Sequence, residues 1–284
     1  MKGLCLSGGG IKAAAHIGAL KAFEEEGIKF DCVSGASSGS IIATMYALGY
    51  RSNEMWEMFR QFAPKIKYYE WKQIFKFVAG LILKREIIID GLNSGKVIEK
   101  IIKEITLENK ISNINEIKMP LLISMVDIKT GTVYIASSKE IRTTLSDKTE
   151  YITDISIEKA VRASCSYPVV FCPCKYGDIQ LIDGGIRENL PWKHLKQIGA
   201  DEVWGINFNT IFNKDDCCLN IIDSATRALE LQGRELGVYE KIGIDRLITI
   251  DMKKVSLLDA TKAEELYVIG YAQAKQQIKK IALH

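Results

Sequence analysis

The chain has no apolar run of the roughly 18 residues that a membrane span requires. Its best candidate, Ile74 to Leu83, is interrupted by Lys76. Met1 to Leu6 runs straight into glycines and lacks the apolar core of a secretory signal. Both absences predict an intracellular, cytoplasmic protein whose contact with a membrane is confined to its surface. Histidine is scarce, with only His16, His194 and His284. The seven cysteines (Cys5, Cys32, Cys165, Cys172, Cys174, Cys217 and Cys218) are odd in number and lack paired C-x-x-C spacing. That argues against a disulfide framework and against structural zinc, so no metal is expected. An excess of one charge is also missing. Lys+Arg is 38 against Asp+Glu 35, which gives no case for a nucleic-acid partner.

Hydrophobic residues make up 47% of the 284 and charged residues 26%, a globular composition with an ample core. No Pro/Gly/Ser-rich linker or internal repeat divides the chain, so residues 1–284 read as one domain. Gly3 to Ser7 reads as a buried strand, Ile11 to Glu26 as a helix, Phe30 to Ser34 as a second strand and Ile41 to Leu48 as a second helix. Strand, helix, strand, helix in this order predicts βαβ units on a mostly parallel sheet. Further strands are expected at Leu121 to Val126, Thr132 to Ala136, Val203 to Phe208 and Arg246 to Ile250. A helical segment is expected to be inserted near 51–115, and a long closing helix over Leu258 to Ile281.

Three glycine-bearing turns carry candidate chemistry. The first is Ser7-Gly8-Gly9-Gly10-Ile11-Lys12-Ala13, between a strand and a helix. Its backbone N–H groups and the helix start form a nest for negative charge, suited to a phosphate or an oxyanion. Gly8-x-Gly10-x-x-Ala13 also matches the dinucleotide fingerprint, and Asp31 stands about 20 residues on, where a ribose-binding acid belongs. A nucleotide-binding oxidoreductase therefore stays open at this point. The second turn is Gly35-Ala36-Ser37-Ser38-Gly39, a G-x-S-x-G between strand and helix. Gly35 and Gly39 permit a turn sharp enough to expose the Ser37 hydroxyl, and the N–H of Ser38 can face a substrate carbonyl.

A serine nucleophile needs a base. His16 reads as a packed helix residue, His194 fits exposure as well as catalysis, and His284 ends the chain. The better candidate is Asp183 in the third turn, Leu181-Ile182-Asp183-Gly184-Gly185, although a bare Asp-Gly hairpin explains that turn too. Asp90 to Val97 is one residue short of a phosphate loop and lacks its Ser/Thr after Lys96, which argues against ATP or GTP.

Taken in order, the glycine loop, the G-x-S-x-G and the distant D-G-G resemble the patatin-like phospholipase family. Arg162-Ala163-Ser164-Cys165-Ser166-Tyr167-Pro168, Asn189-Leu190-Pro191 and the helix from Glu264 to Tyr271 extend the resemblance over nearly the whole chain. It implies a three-layer α/β/α sandwich and hydrolysis of acyl esters in phospholipid or related lipid, with no cofactor. By position it makes Ser37 the nucleophile, Asp183 its base and Gly8, Gly9 and Gly10 oxyanion donors, with Lys12 at the usual basic position. The sequence departs from the family at Ala13, where glycine is usual. A catalytically silent lipid-binding module on the same fold is the remaining alternative.

Residues 60–89 combine Phe62, Tyr68, Tyr69, Trp71, Phe75 and Phe77 with seven Lys/Arg against two Glu. Aromatics interleaved with lysine suit a lipid interface, and this stretch is expected to form a lid or peripheral membrane contact. A helical hairpin packed into the core accounts for the same pattern.

Overall fold

The computed structural model describes residues 1–87, 89–142, 145–211 and 220–282. Cys217, Cys218 and His284 lie outside the described residues. Strand β1 (Lys2–Leu6) leads through a 3₁₀ turn (Gly10–Lys12) into helix α1 (Ala13–Glu25). Strand β2 (Cys32–Ala36) and helix α2 (Ser38–Ala47) follow, with Ser37 alone between them. The expected insertion consists of α3 (Ser52–Phe62), α4 (Trp71–Ala79), a π-helical turn (Gly80–Lys84) and α5 (Lys96–Glu108). Next come β3 (Leu121–Asp127), β4 (Val133–Ser137), β5 (Thr149–Ile152), α6 (Ile157–Ser164), β6 (Cys174–Tyr176) and β7 (Ile179–Asp183). The chain closes with α7 (Lys193–Gln197), β8 (Glu202–Ile211), α8 (Ile221–Glu240), β9 (Arg246–Lys253) and α9 (Ala263–Ala282).

The strands form one sheet in the order β5-β4-β3-β2-β1-β8-β9, with β7 paired to β3 and β6 to β7. The run from β3 through β2, β1 and β8 to β9 is parallel, whereas β4 and β7 both lie antiparallel to β3. Side chains alternate across a strand, so each strand feeds two cores. Leu4, Leu6, Val33 and Ile123 join α1, α2 and α9 in the larger one, while Cys5, Cys32 and Leu122 meet Trp192 and Leu195 on the opposite face. Helices thus flank both faces, though the second face has only the short α7 and its flanks. Helices α1 and α9 touch through their backbones. A Cβ on Gly18 would stand 2.1 Å from the Tyr267 carbonyl oxygen, and one on Gly270 2.2 Å from that of Ala15.

Two expectations shift. The second strand starts at Cys32 rather than Phe30, because its ladder with β1 begins at Gly3↔Cys32. Phe30 instead packs edge-on against Phe23, with ring centroids 5.1 Å apart. Helix α8 was not expected. None of its side chains is fully buried, so no core-facing apolar stripe marks it, although Ala225 to Leu236 is rich in strong helix formers.

Candidate active site

The carboxyl ends of β1 and β2 are adjacent, with Leu6 paired to Gly35, so the glycine loop and the G-x-S-x-G turn emerge side by side. Ser37 has φ 50° and ψ −132°, a conformation that a residue with a Cβ holds only under constraint. The constraint is visible. The Ser37 N–H donates to Ser164 Oγ at 2.9 Å, and that hydroxyl donates to the Ser124 carbonyl at 2.7 Å. The Ser37 carbonyl accepts from the Ser40 N–H at 2.9 Å and from Ser40 Oγ at 2.6 Å. The flanking glycines are equally determined. A Cβ on Gly39 would lie 2.4 Å from the Leu6 carbonyl oxygen, and one on Gly35 2.6 Å from that of Gly39.

Ser164 therefore holds the turn from below, a role that the sequence reading did not assign. Ser164→Ala would leave the Ser37 N–H and the buried Ser124 carbonyl without this partner, at a cost of roughly 1–3 kcal/mol. A urea unfolding midpoint lower than that of the unsubstituted protein is the expected result.

Asp183 reaches Ser37 through strand register. On β3, Ser124 pairs with Ala36 of β2, and the next residue, Met125, pairs with Asp183 of β7. β7 thus continues along β3 where β2 ends, and Asp183 stands just beyond Ala36. Its side chain is buried. Oδ1 accepts from the Gly185 N–H at 2.8 Å, while no hydrogen bond closes on the buried Oδ2. Burial pushes the Asp183 carboxyl up to about 7, and the nearby Ser37 hydroxyl and the Gly185 N–H pull back against it. Gly184 fits because a Cβ there would meet the Ser124 carbonyl oxygen at 2.3 Å.

The glycine loop packs on Ser37. A Cβ on Gly8 would come within 2.7 Å of Ser37 Cβ. The Gly8 N–H, one of the expected oxyanion donors, donates to Asn189 Oδ1 at 2.8 Å, so a side-chain amide already holds it. The Asn189 N–H in turn donates to Glu240 Oε1 at 2.7 Å, and Glu240 is raised to about 7, chiefly by burial. Asn189 was singled out in sequence only as part of Asn189-Leu190-Pro191. Its contact with Gly8 spans 181 residues, which local pattern cannot signal. Lys12 Nζ donates to Thr210 Oγ1 at 2.7 Å, and burial lowers its pKa.

Two cavities meet at Ser37. One is narrow, about 50 Å³, and apolar, lined by Ile41, Phe59, Phe62, Ile66, Phe171 and Leu258, with Gly10 and Ser38 beside Ser37. The other is a wider groove of mixed lining that includes Gly8, Gly9, Lys12, Asp183, Gly185 and Asn189, with α8 along its side.

The other candidates fall elsewhere. His16 is buried with Nε2 2.8 Å from the Ser7 carbonyl oxygen, and burial lowers it to about 4. His194, expected to be exposed or catalytic, is buried between Glu188 and Tyr151, each at 2.8 Å. Asp31 accepts from the Lys2 N–H at 2.7 Å, at the amino end of β1. The glycine loop lies at the carboxyl end, so this acid is at the wrong edge of the sheet for a ribose bound there. In the loop before α5, the Ser94 carbonyl accepts from Arg162 Nε at 3.0 Å, a structural tie. Among the described residues, no helix is long and apolar enough to cross a membrane.

The chain is similar to known proteins. The chain is 25% identical over 306 aligned residues to the lysophospholipase nte1 of Aspergillus fumigatus, covering 98% of this chain and 18% of that protein. The chain thus spans less than a fifth of such relatives. The uncharacterised protein YqhO of Bacillus subtilis is 30% identical over 209 residues, covering 67% of this chain and 66% of its own length. In fold, the crystal structure of VipD from Legionella pneumophila superposes with a TM-score of 0.54 at 17% identity, over 98% of this chain and 67% of that one. Residues 4–196, which span the glycine loop, the Ser37 turn and Asp183, match the family described as patatin-like phospholipase, and the chain belongs to that family.

Proposed function

We propose that the protein is a serine acyl hydrolase that cleaves fatty-acyl esters of phospholipids or related lipids with a Ser37–Asp183 dyad. The observation that carries this reading is the position of Ser37. It stands on a constrained turn beside a buried carboxyl with a free oxygen, where an apolar cavity meets a groove that carries polar groups. An ester suits both sides, with the acyl carbons next to its carbonyl against the apolar lining and its alcohol portion in the groove.

Asp183 takes the Ser37 proton as Oγ attacks the ester carbonyl, then delivers it to the departing alcohol oxygen. Water attacks the acyl-Ser37 ester, gives its proton to Asp183, and the proton returns to Ser37 as the fatty acid leaves. The developing oxyanion is met by the N–H groups of Gly9, Gly10 and Ser38, since Gly8 is held by Asn189. The start of α2 adds its dipole, because the first N–H groups of a helix lack intrahelical partners. Lys12 faces the groove that receives the polar part of the substrate.

Fluorophosphonate labelling followed by peptide mapping tests the assignment. Phosphonylation of Ser37 with loss of fluoride is expected, absent in Ser37→Ala and strongly slowed in Asp183→Asn. A folded protein that stays unlabelled in the presence of lipid vesicles would overturn the dyad and favour a silent lipid-binding module.

A further inference from the structure

Helix α4 carries a second apolar stripe, on its outer face. Trp71, Phe75 and Val78, with Ile82 on the following π-turn, recur at i, i+4, i+7 and i+11 and so lie on one stripe. That stripe faces outward, with exposures of 70%, 74%, 44% and 73%. The residues turned inward are Gln73 and Gly80, with Ile74 and Phe77 half-buried beside them. A surface helix ordinarily buries its apolar stripe and exposes its polar one. Here Leu83 and Tyr69, at 81% and 52% exposure, enlarge the patch. Scattered exposed apolar residues are normal, but a continuous aromatic and aliphatic stripe marks a contact surface.

Charge identifies the occupant. Lys72 and Lys76 on α4, with Lys84 and Arg85 after it, are all exposed around the stripe. Of the two acids in 60–89, Glu70 accepts from Ser94 Oγ at 2.8 Å. A second copy of the chain docked about a two-fold axis would set these lysines against themselves. A surface of anionic phospholipid complements both features, since aromatic side chains settle at the headgroup level and lysines meet the phosphates. The same insertion reaches the candidate active site. Phe62 and Ile66 line the apolar cavity, and the Glu70 N–H donates to the Leu92 carbonyl at 2.9 Å beside the wall that carries Phe171.

We infer that the outward face of α4 and its π-turn docks the protein on the surface of an anionic phospholipid bilayer. This inference rests on the lipid-ester reading for its purpose, but it can be tested without catalysis. The full chain is mixed with phosphatidylcholine vesicles, with and without 30% phosphatidylglycerol, and recovered by flotation. Wild type and Ser37→Ala are expected to float equally with the anionic vesicles, to bind neutral ones at least tenfold more weakly, and to release at high salt. Trp71→Glu/Phe75→Glu and Lys72→Glu/Lys76→Glu are each expected to weaken binding at least tenfold. Both should keep wild-type circular dichroism and wild-type hydrolysis of a soluble short-chain ester. Folded double variants that float like wild type would overturn the inference. So would a wild type that ignores vesicles, or a face whose substitutions abolish self-association and leave lipid binding intact. Vesicle binding without turnover of any ester would overturn the proposed reaction and leave the docking face standing.

Discussion

Asp183→Asn is expected to lower the turnover of a lipid ester by about 10²–10⁴-fold, the range that a positioned general base contributes. The same substitution is expected to raise stability at alkaline pH. The two effects share a cause. Burial holds the carboxyl near 7 instead of its ordinary 3.8, so the fold favours the protonated form. A group whose folded pKa is raised contributes its full stabilisation below the unfolded value near 4 and loses it as pH rises through about 7. Above that pH the protein carries a buried, ionised carboxylate, which is the form that accepts the Ser37 proton. An amide keeps the acceptor for the Gly185 N–H and avoids the charge. Thermal melts at pH 5 and pH 8 should therefore show a gain for Asp183→Asn at pH 8 that shrinks at pH 5. The wild-type pH–rate profile should rise through about 7 and level off above it. A profile flat from pH 5 to 9, with chemistry rate-limiting, would remove Asp183 as the base.

Gly10→Ala is expected to cost about 10²–10³-fold in kcat, the size of losing one oxyanion donor. Gly10 has φ +62°, and its missing Cβ would lie 2.2 Å from the Leu257 carbonyl oxygen. That oxygen accepts the Ile11 N–H at 2.7 Å, so it anchors the loop and cannot yield without releasing it. The added methyl must push the loop, and the N–H groups of Gly9 and Gly10 move with it. Gly27→Ala is the matched control. It has nearly the same φ, +67°, but nothing within 4 Å of its Cβ position. It should show the backbone penalty of about 1 kcal/mol in stability and unchanged kcat. If both substitutions leave kcat unchanged, the loop does not hold the oxyanion donors.

The sequence by itself determined what short stretches can encode. Apolar runs punctuated by glycine located β1, α1, β2 and α2, and Gly35 and Gly39 marked a turn that only glycine can flank. The spacing of Ser37 from its flanking strand and helix was likewise local. Boundaries drifted where tertiary pairing set them, as at Cys32, which starts its strand because Gly3 lies opposite. β5 and β6 were missed because each is short and gains its stability from a neighbouring strand rather than from its own pattern.

The tertiary structure alone decided which candidates meet. Asp183 and Asp31 are both acids beside a strand, and the sequence offered a role for each. The register along β3 delivers Asp183 to Ser37, whereas pairing with Lys2 holds Asp31 at the far edge of the sheet. Asn189 holds Gly8 across 181 residues, and α8 borders the groove without a buried side chain to announce it. The aromatic and basic character of 60–89 was legible, but the outward direction of Trp71 and Phe75 was not. Periodicity shows that apolar residues share a face, and only the packing of Gln73, Ile74, Phe77 and Gly80 inward shows which way that face turns.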